Sequence, residues 1–237
     1  VPVPLAVRVR WAVVRPGLEG LLRDDERDRV ARAAPGHRAR TCAGLLLART
    51  AVAADLGLAP GAVRLHRRCP RCGSTVHGAP WVERADGGPV PHLSLSRSET
   101  IVVVALARAP VGVDVEPTGG AQPGPGARGL GAVVLAPGEP PGGAGDDGLL
   151  RTWTRKEAVL KAAGTGLAVD PASFRVTSAA RTPAVVPLDP SGPLGPPPGV
   201  AWWLADLDLG PGTVGAVAAH RGPGTEPVLD VRELPLP

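Results

Sequence analysis

The sequence predicts an α+β protein built from two similar α/β subdomains, residues 1–110 and 111–237. Two observations carry that expectation. Each half contains one long stretch with apolar residues at helical spacing, and each half carries short runs of alternating or β-branched residues that suit strands. No short-period repeat is visible, which excludes a solenoid.

Taking the elements in order, Val7, Val9, Trp11 and Val13 alternate with polar or small residues and form an opening strand. Leu18 to Ala33 is a charged helix with Leu21, Leu22 and Val30 on its apolar side. Arg38 to Leu56 is the clearest helix, because Leu45, Leu46, Arg49, Val52 and Ala53 share a face and Gly57 can close it. Its arginine-rich start, Arg38 and Arg40, opposes the helix macrodipole, so solvated arginines and an anionic ligand both remain open. Gly61 to Arg67 is a short strand before the turn Cys69-Pro-Arg-Cys72-Gly73. His92 to Ser96, Thr100 to Ala107 and Val111 to Glu116 are strands, the first two joined by Ser96-Arg-Ser-Glu99. Residues 117–148 carry Gly or Pro at 17 of 32 positions and predict a flexible, disordered connector. A helix from Gly148 to Ala163 follows, then strands at Ser173–Thr177, Val200–Leu207 and Thr213–His220. The tail, residues 222–237, is expected to be poorly ordered.

Aromatics make up only 3% of the chain, so the core must come from Val, Leu and Ala. A net charge of +4 favours anionic partners of several kinds. Three cysteines give no disulfide framework and suit a reducing cytosol. The N-terminal residues show no signal-peptide pattern, and no apolar run reaches the ~18 residues of a membrane span. A cytoplasmic, soluble protein is expected.

Among 26 basic residues only two are lysines, Lys156 and Lys161, both inside Trp153-Thr-Arg-Lys-Glu-Ala-Val-Leu-Lys161. A composition that writes cations as Arg keeps Lys where a compact ammonium is needed. Trp153, Glu157 and Lys161 form one helical stripe, which an exposed Glu–Lys pair would also explain. Upstream, Asp114 and Glu116 lie two apart on a strand and so face the same side. Such a pair is either a solvated acidic face or a site for a hard cation such as Mg²⁺, which takes carboxylates, water and phosphate oxygens.

Together, Gly112-Val-Asp114-Val-Glu116 and, some forty residues later, Trp153-Thr-Arg-Lys156-Glu157-Ala-Val-Leu-Lys161-Ala-Ala-Gly164-Thr-Gly166-Leu167 resemble the signature pair of 4′-phosphopantetheinyl transferases. The likeness is to the monomeric, pseudo-dimeric Sfp type of actinobacteria that activates peptide and polyketide synthases, and it covers about residues 5 to 220. Leu95-Ser96-Arg97-Ser98, Arg40-Thr41 with Gly44, and Cys69-Pro-Arg-Cys72-Gly73 followed by His77-Gly78-Ala79-Pro80 fit it as well. The resemblance implies two subdomains related by a pseudo-twofold. It implies transfer of the phosphopantetheine arm of coenzyme A to a serine of an acyl or peptidyl carrier protein, with release of adenosine 3′,5′-bisphosphate. It places Mg²⁺, or Mn²⁺, on Asp114, Glu116 and Glu157. Lys161 would hold the pyrophosphate, Ser96 and Arg97 the nucleotide phosphates, and Arg40 and Arg32 the 3′-phosphate region. Glu157, or a metal-bound water beside it, is the candidate base for the serine proton. Arg97 stands where the family has His, Ala79 at an often basic position and Glu99 where Gly is usual. Altered coenzyme A affinity is expected from the first two.

Rival readings come from other classes. A non-catalytic relative that only binds carrier proteins is one, and a zinc-containing nucleic-acid-binding module is another. Structural zinc takes four ligands, usually from two paired knuckles, and only one Cys-x-x-Cys is present beside His66 and His77. That loop is therefore read first as a turn and second as a zinc site. Aromatics interleaved for base stacking are also missing, which argues against nucleic acid as a partner.

Overall fold

The computed structural model describes residues 4–69, 71–84, 86–119, 126–140, 146–186, 189 and 191–237. It is a mixed α/β structure of two compact units, one formed by Ala6–Arg108 with Leu229–Pro237 and the other by Ala109–Val228 with residues 4–5. No helix among the described residues is long and apolar enough to cross a membrane.

In the first unit, β1 (Leu5–Val13), α1 (Asp24–Ala31), α2 (Arg38–Leu56), β2 (Val63–Arg68), β3 (Ala79–Arg84), β4 (His92–Arg97) and β5 (Ile101–Ala107) follow one another. The main sheet has the order β4-β5-β1-β9, where β9 is Pro227–Glu233, and β2 and β3 pair as a separate antiparallel hairpin. α2 runs over the expected residues and closes at Gly57, whose φ of 65° is the left-handed geometry a glycine adopts freely. Its Leu45, Leu46, Leu47 and Val52 are buried in one core with Val102, Val104 and Leu106. Each such side chain contributes about 1.5–3 kcal/mol on burial. α1 opens with Asp24, Asp25 and Glu26, as the macrodipole favours, and Glu26 accepts the Arg23 N–H at 3.0 Å. Glu26 is buried and ion-paired with Arg49 of α2, which joins the two helices.

Two expectations fail here. The tail beyond Gly222 supplies β9, where Asp230 bonds Arg10 at 2.8 Å, Leu234 N–H donates to the Trp11 carbonyl, and Leu236 enters the core. Its Pro and Gly content concealed a Val-Leu-Asp-Val alternation. β3 was not foreseen at all, since Pro80 and Trp81 break the pattern, yet it pairs with β2 from Val63↔Arg84 to Arg68↔Ala79.

In the second unit, β6 (Val111–Pro117), α3 (Gly126–Val134), α4 (Asp146–Ala163), β7 (Ala201–Leu207) and β8 (Thr213–Arg221) occur in that order. The sheet is antiparallel, β6-β8-β7, with Asp114 opposite Ala216 and Gly112 opposite Ala218. α4 lies on this face with Ala158, Leu160 and Ala162 in one core with Ala216, Ala218 and Leu204.

The strand expected at Ser173–Thr177 is absent: Pro171–Ser173 is a 3-10 turn and Val176 makes one isolated bridge to Val185. The alternation that suggested it reflects the burial of Phe174 and Val176. The connector is also more ordered than expected. α3 lies within it, and Val134, Ala136 and Glu139 are buried. Residues 120–125 and 141–145 of that stretch lie outside the described residues. Lys156, fully buried on α4, organises this region. Its ammonium donates to Glu139 and to the carbonyls of Val134, Pro171 and Phe174 at 2.7, 3.0 and 2.7 Å. Acceptors gathered around one point suit an ammonium and not a planar fork, so this lysine survives for a structural reason. Arg155 does the matching work at the other side, holding both oxygens of Asp206 and the carbonyls of Thr177 and Ser178.

Candidate active site

Gly112, Asp114 and Glu116 occupy alternate positions of β6 and therefore one face. A Cβ on Gly112 would sit 2.0 Å from the Ala158 carbonyl oxygen and 2.4 Å from the Ala162 nitrogen. Only glycine lets α4 lie directly on the strand. That close approach places the Trp153, Glu157 and Lys161 stripe over the two strand carboxylates.

Lys161 donates to Asp114 Oδ1 at 2.6 Å and to the Val113 carbonyl at 3.2 Å. Trp153 donates its indole N–H to Glu116 Oε1 at 3.1 Å. Asp114 is buried, while Glu116, Glu157, Trp153 and Lys161 are half-buried. Burial pushes the Glu116 carboxyl up to about 7, and the charge of Asp114 adds to this. The Trp153 bond and Lys161 oppose it, while Glu157 raises it slightly further. Glu157 is also raised, first by burial, with Lys161 opposing and Asp114 adding. Three carboxylates and one ammonium thus share one electrostatic neighbourhood. The carboxylates do not bring one oxygen each within 4.8 Å of one another. An all-oxygen donor set in which Glu116 and Glu157 are made costly to ionise by burial and neighbouring charge fits a hard divalent cation, which would relieve both penalties.

The other predicted residues lie in the first unit. Arg32 and Arg97 line a cleft of about 1440 Å³ whose wall also includes Arg29, Arg64, Arg67 and Thr41. Arg97 rests its stem against Gly44, where a Cβ would meet its Cδ at 3.0 Å, and its guanidinium donates to Thr41 Oγ1 at 3.4 Å. Burial, then the nearby Arg40, holds the Arg97 pKa below its ordinary value. Arg40 lines a smaller cavity of about 400 Å³ beside Glu99. Ser96 is buried on β4.

Arg67 was missed by the sequence reading. Its guanidinium falls to about 10, through burial first and then Arg97 and Arg29. The signal was the run Arg64-Leu-His-Arg-Arg68, in which Leu65 alone is an obvious core residue.

A strand bearing two carboxylates beneath a helix bearing a third and a lysine offers oxygen donors that could hold a hard cation and an ammonium that could meet a phosphate. Residues 110–203 match the family model of the 4′-phosphopantetheinyl transferase superfamily. Members act on coenzyme A and carrier proteins and generally use a divalent metal. No curated protein matches the chain.

Proposed function

We propose that the protein transfers the 4′-phosphopantetheine arm of coenzyme A to a serine of an apo acyl or peptidyl carrier protein, acting as a cytoplasmic monomer with Mg²⁺. The observation that carries this reading is the coupling of Asp114, Glu116 and Glu157 to one another and to Lys161 across the Gly112 contact.

In the transfer, the serine oxygen forms a bond to the β-phosphorus of coenzyme A. The bond from that phosphorus to the bridging oxygen breaks, and adenosine 3′,5′-bisphosphate leaves with the electron pair. Asp114, Glu116 and Glu157 would hold Mg²⁺, which supplies charge neutralisation at the pyrophosphate when bound. Lys161 places an ammonium at the phosphate oxygens, exchanging part of its bond to Asp114 for them. Burial raises the Glu157 pKa above its ordinary value, which suits Glu157 to accept the serine proton through a water beside it. Arg97, Arg40 and Arg32 are assigned to the nucleotide phosphates, with Ser96 beside them.

The test is incubation with coenzyme A, Mg²⁺ and a panel of apo carrier proteins, followed by mass spectrometry. One phosphopantetheine arm on the carrier serine is expected. Unmodified carriers across the panel, under conditions where a known transferase loads them, would refute the reading.

A further inference from the structure

Between β2 and β3 the chain folds a second set of ligand-type side chains, remote in sequence from the carboxylate site. One ligand atom each from Cys69, Cys72 and His77 lies within 4.8 Å of the other two, and among the described residues this is the only such group of three. Cys72 Sγ is 3.4 Å from His77 Nε2. Cys69 is buried, and the other two are exposed.

The loop is built to hold them there. Cys69 N–H donates to the Ser74 carbonyl at 2.9 Å, and Gly73 N–H returns to the Cys69 carbonyl at 2.9 Å. Gly73 makes the turn at a φ of 71°. The backbone N–H groups of Cys72 and Arg71 point to the Cys69 sulfur. Gly78 has a φ of 103°, and a Cβ there would sit 2.4 Å from the Arg68 carbonyl oxygen. This second glycine lets the returning chain lie on the start of the loop and carries His77 over the sulfurs.

We propose that Cys69, Cys72 and His77 bind one Zn²⁺ ion, with a fourth position left for water or another small ligand. Two thiolates and an imidazole select a borderline-soft metal and are poor ligands for Mg²⁺. His66 is not the fourth ligand. Its Nε2 is 2.8 Å from a Glu83 carboxylate oxygen, and its ring stacks on Trp81 at 4.6 Å. Binding releases one proton from each thiol to solvent, and the two thiolates then balance the ion's charge. The filled site therefore adds no net charge beside Arg67 and Arg68. His77 and Gly73 line the arginine-rich cleft, and Arg67 donates to the Gly78 carbonyl at 3.0 Å. The ion would thus pin one wall of that cleft. This inference stands apart from the proposed transfer activity.

The experiment measures metal directly. Protein purified under reducing conditions from zinc-supplemented cells, and passed through a desalting column, is assayed for zinc by mass spectrometry. A second sample is refilled with Co²⁺ and its absorption recorded. One zinc per chain and a thiolate-to-cobalt charge-transfer band are expected. Cys72→Ser and His77→Ala, both at exposed positions, should each weaken zinc retention against a competing chelator by tenfold or more. Zinc at background in the wild-type protein, a Cys69–Cys72 disulfide that persists in reductant, or unchanged retention in both variants would each overturn the proposal. Because the wild-type content and cobalt spectrum decide it alone, poor folding of a variant does not protect it.

Discussion

The two units crowd opposite charges, and each registers the crowding in its ionisation. In the second unit Glu116 and Glu157 are pushed up, and in the first unit Arg67 and Arg97 are pushed down. Burial is the first cause every time, with like charge among the others. Elsewhere in the same units, buried charge is already paired: Glu26 with Arg49, and Lys156 with Glu139. Paired charge stabilises a fold by being complete, whereas crowded like charge costs stability until a ligand of opposite sign arrives. That contrast distinguishes charges that have an opposite partner, as Lys156 has in Glu139, from charges crowded mainly by their own sign. On the proposed function, the carboxylate face would take a cation and the arginine cleft an anion.

The sharpest way to break the contrast is to remove charge from each class. Glu157→Gln should lower transfer by about 10²–10⁴-fold, the range for a lost proton acceptor or ligand, in the mass-spectrometric assay. Its urea midpoint should stay level or rise, because a crowded charge has gone. Retained activity, or a collapsed midpoint, would place Glu157 among the structural residues.

Lys156→Met should do the reverse. It leaves Glu139 buried without its cation, and the loss is about 3–5 kcal/mol of unfolding free energy. Denaturant titration would show this as a lower midpoint. A loss under about 1 kcal/mol would mean that Glu139 is satisfied by the Ala136 and Val176 N–H groups alone.

A smaller effect is expected in the arginine cleft. Arg97→Ala should raise the KM for coenzyme A about tenfold with kcat nearly unchanged, since it removes ground-state phosphate binding only. An unchanged KM would show that the cleft serves some other anion.

These classes were unequally legible in the sequence. The stripe Trp153, Glu157 and Lys161 and the pair Asp114 and Glu116 were readable because strand and helix periods place them on single faces. α2 was readable to its cap for the same reason. The two lysines were conspicuous together, but nothing local distinguished their roles. Lys156 is structural because four acceptors from two other segments of the chain, 134–139 and 171–174, converge on it. The reason for Gly112 was equally hidden, since it lies in backbone atoms forty-six and more residues away. β3, β9 and α3 were lost in Pro- and Gly-rich sequence, where tertiary pairing overrides weak local preference.

The finest test concerns the proton on Glu116. Its carboxyl titrates near 7 in the folded protein against an ordinary 4.5. Between those values the folded state keeps a proton that the unfolded chain has already released. Unfolding free energy therefore falls as pH rises through this window, and the contribution of Glu116 levels off above it. Protein freed of divalent ions should be measurably less stable at about pH 8 than at about pH 5 for this reason, and Glu116→Gln should flatten that part of the profile. A divalent cation binds the ionised carboxylate and competes with the proton, so added Mg²⁺ should recover stability most at the alkaline end. If Glu116→Gln leaves the slope between those limits unaltered, the carboxylate face is not crowded in solution, and the contrast with the paired residues loses its acidic half.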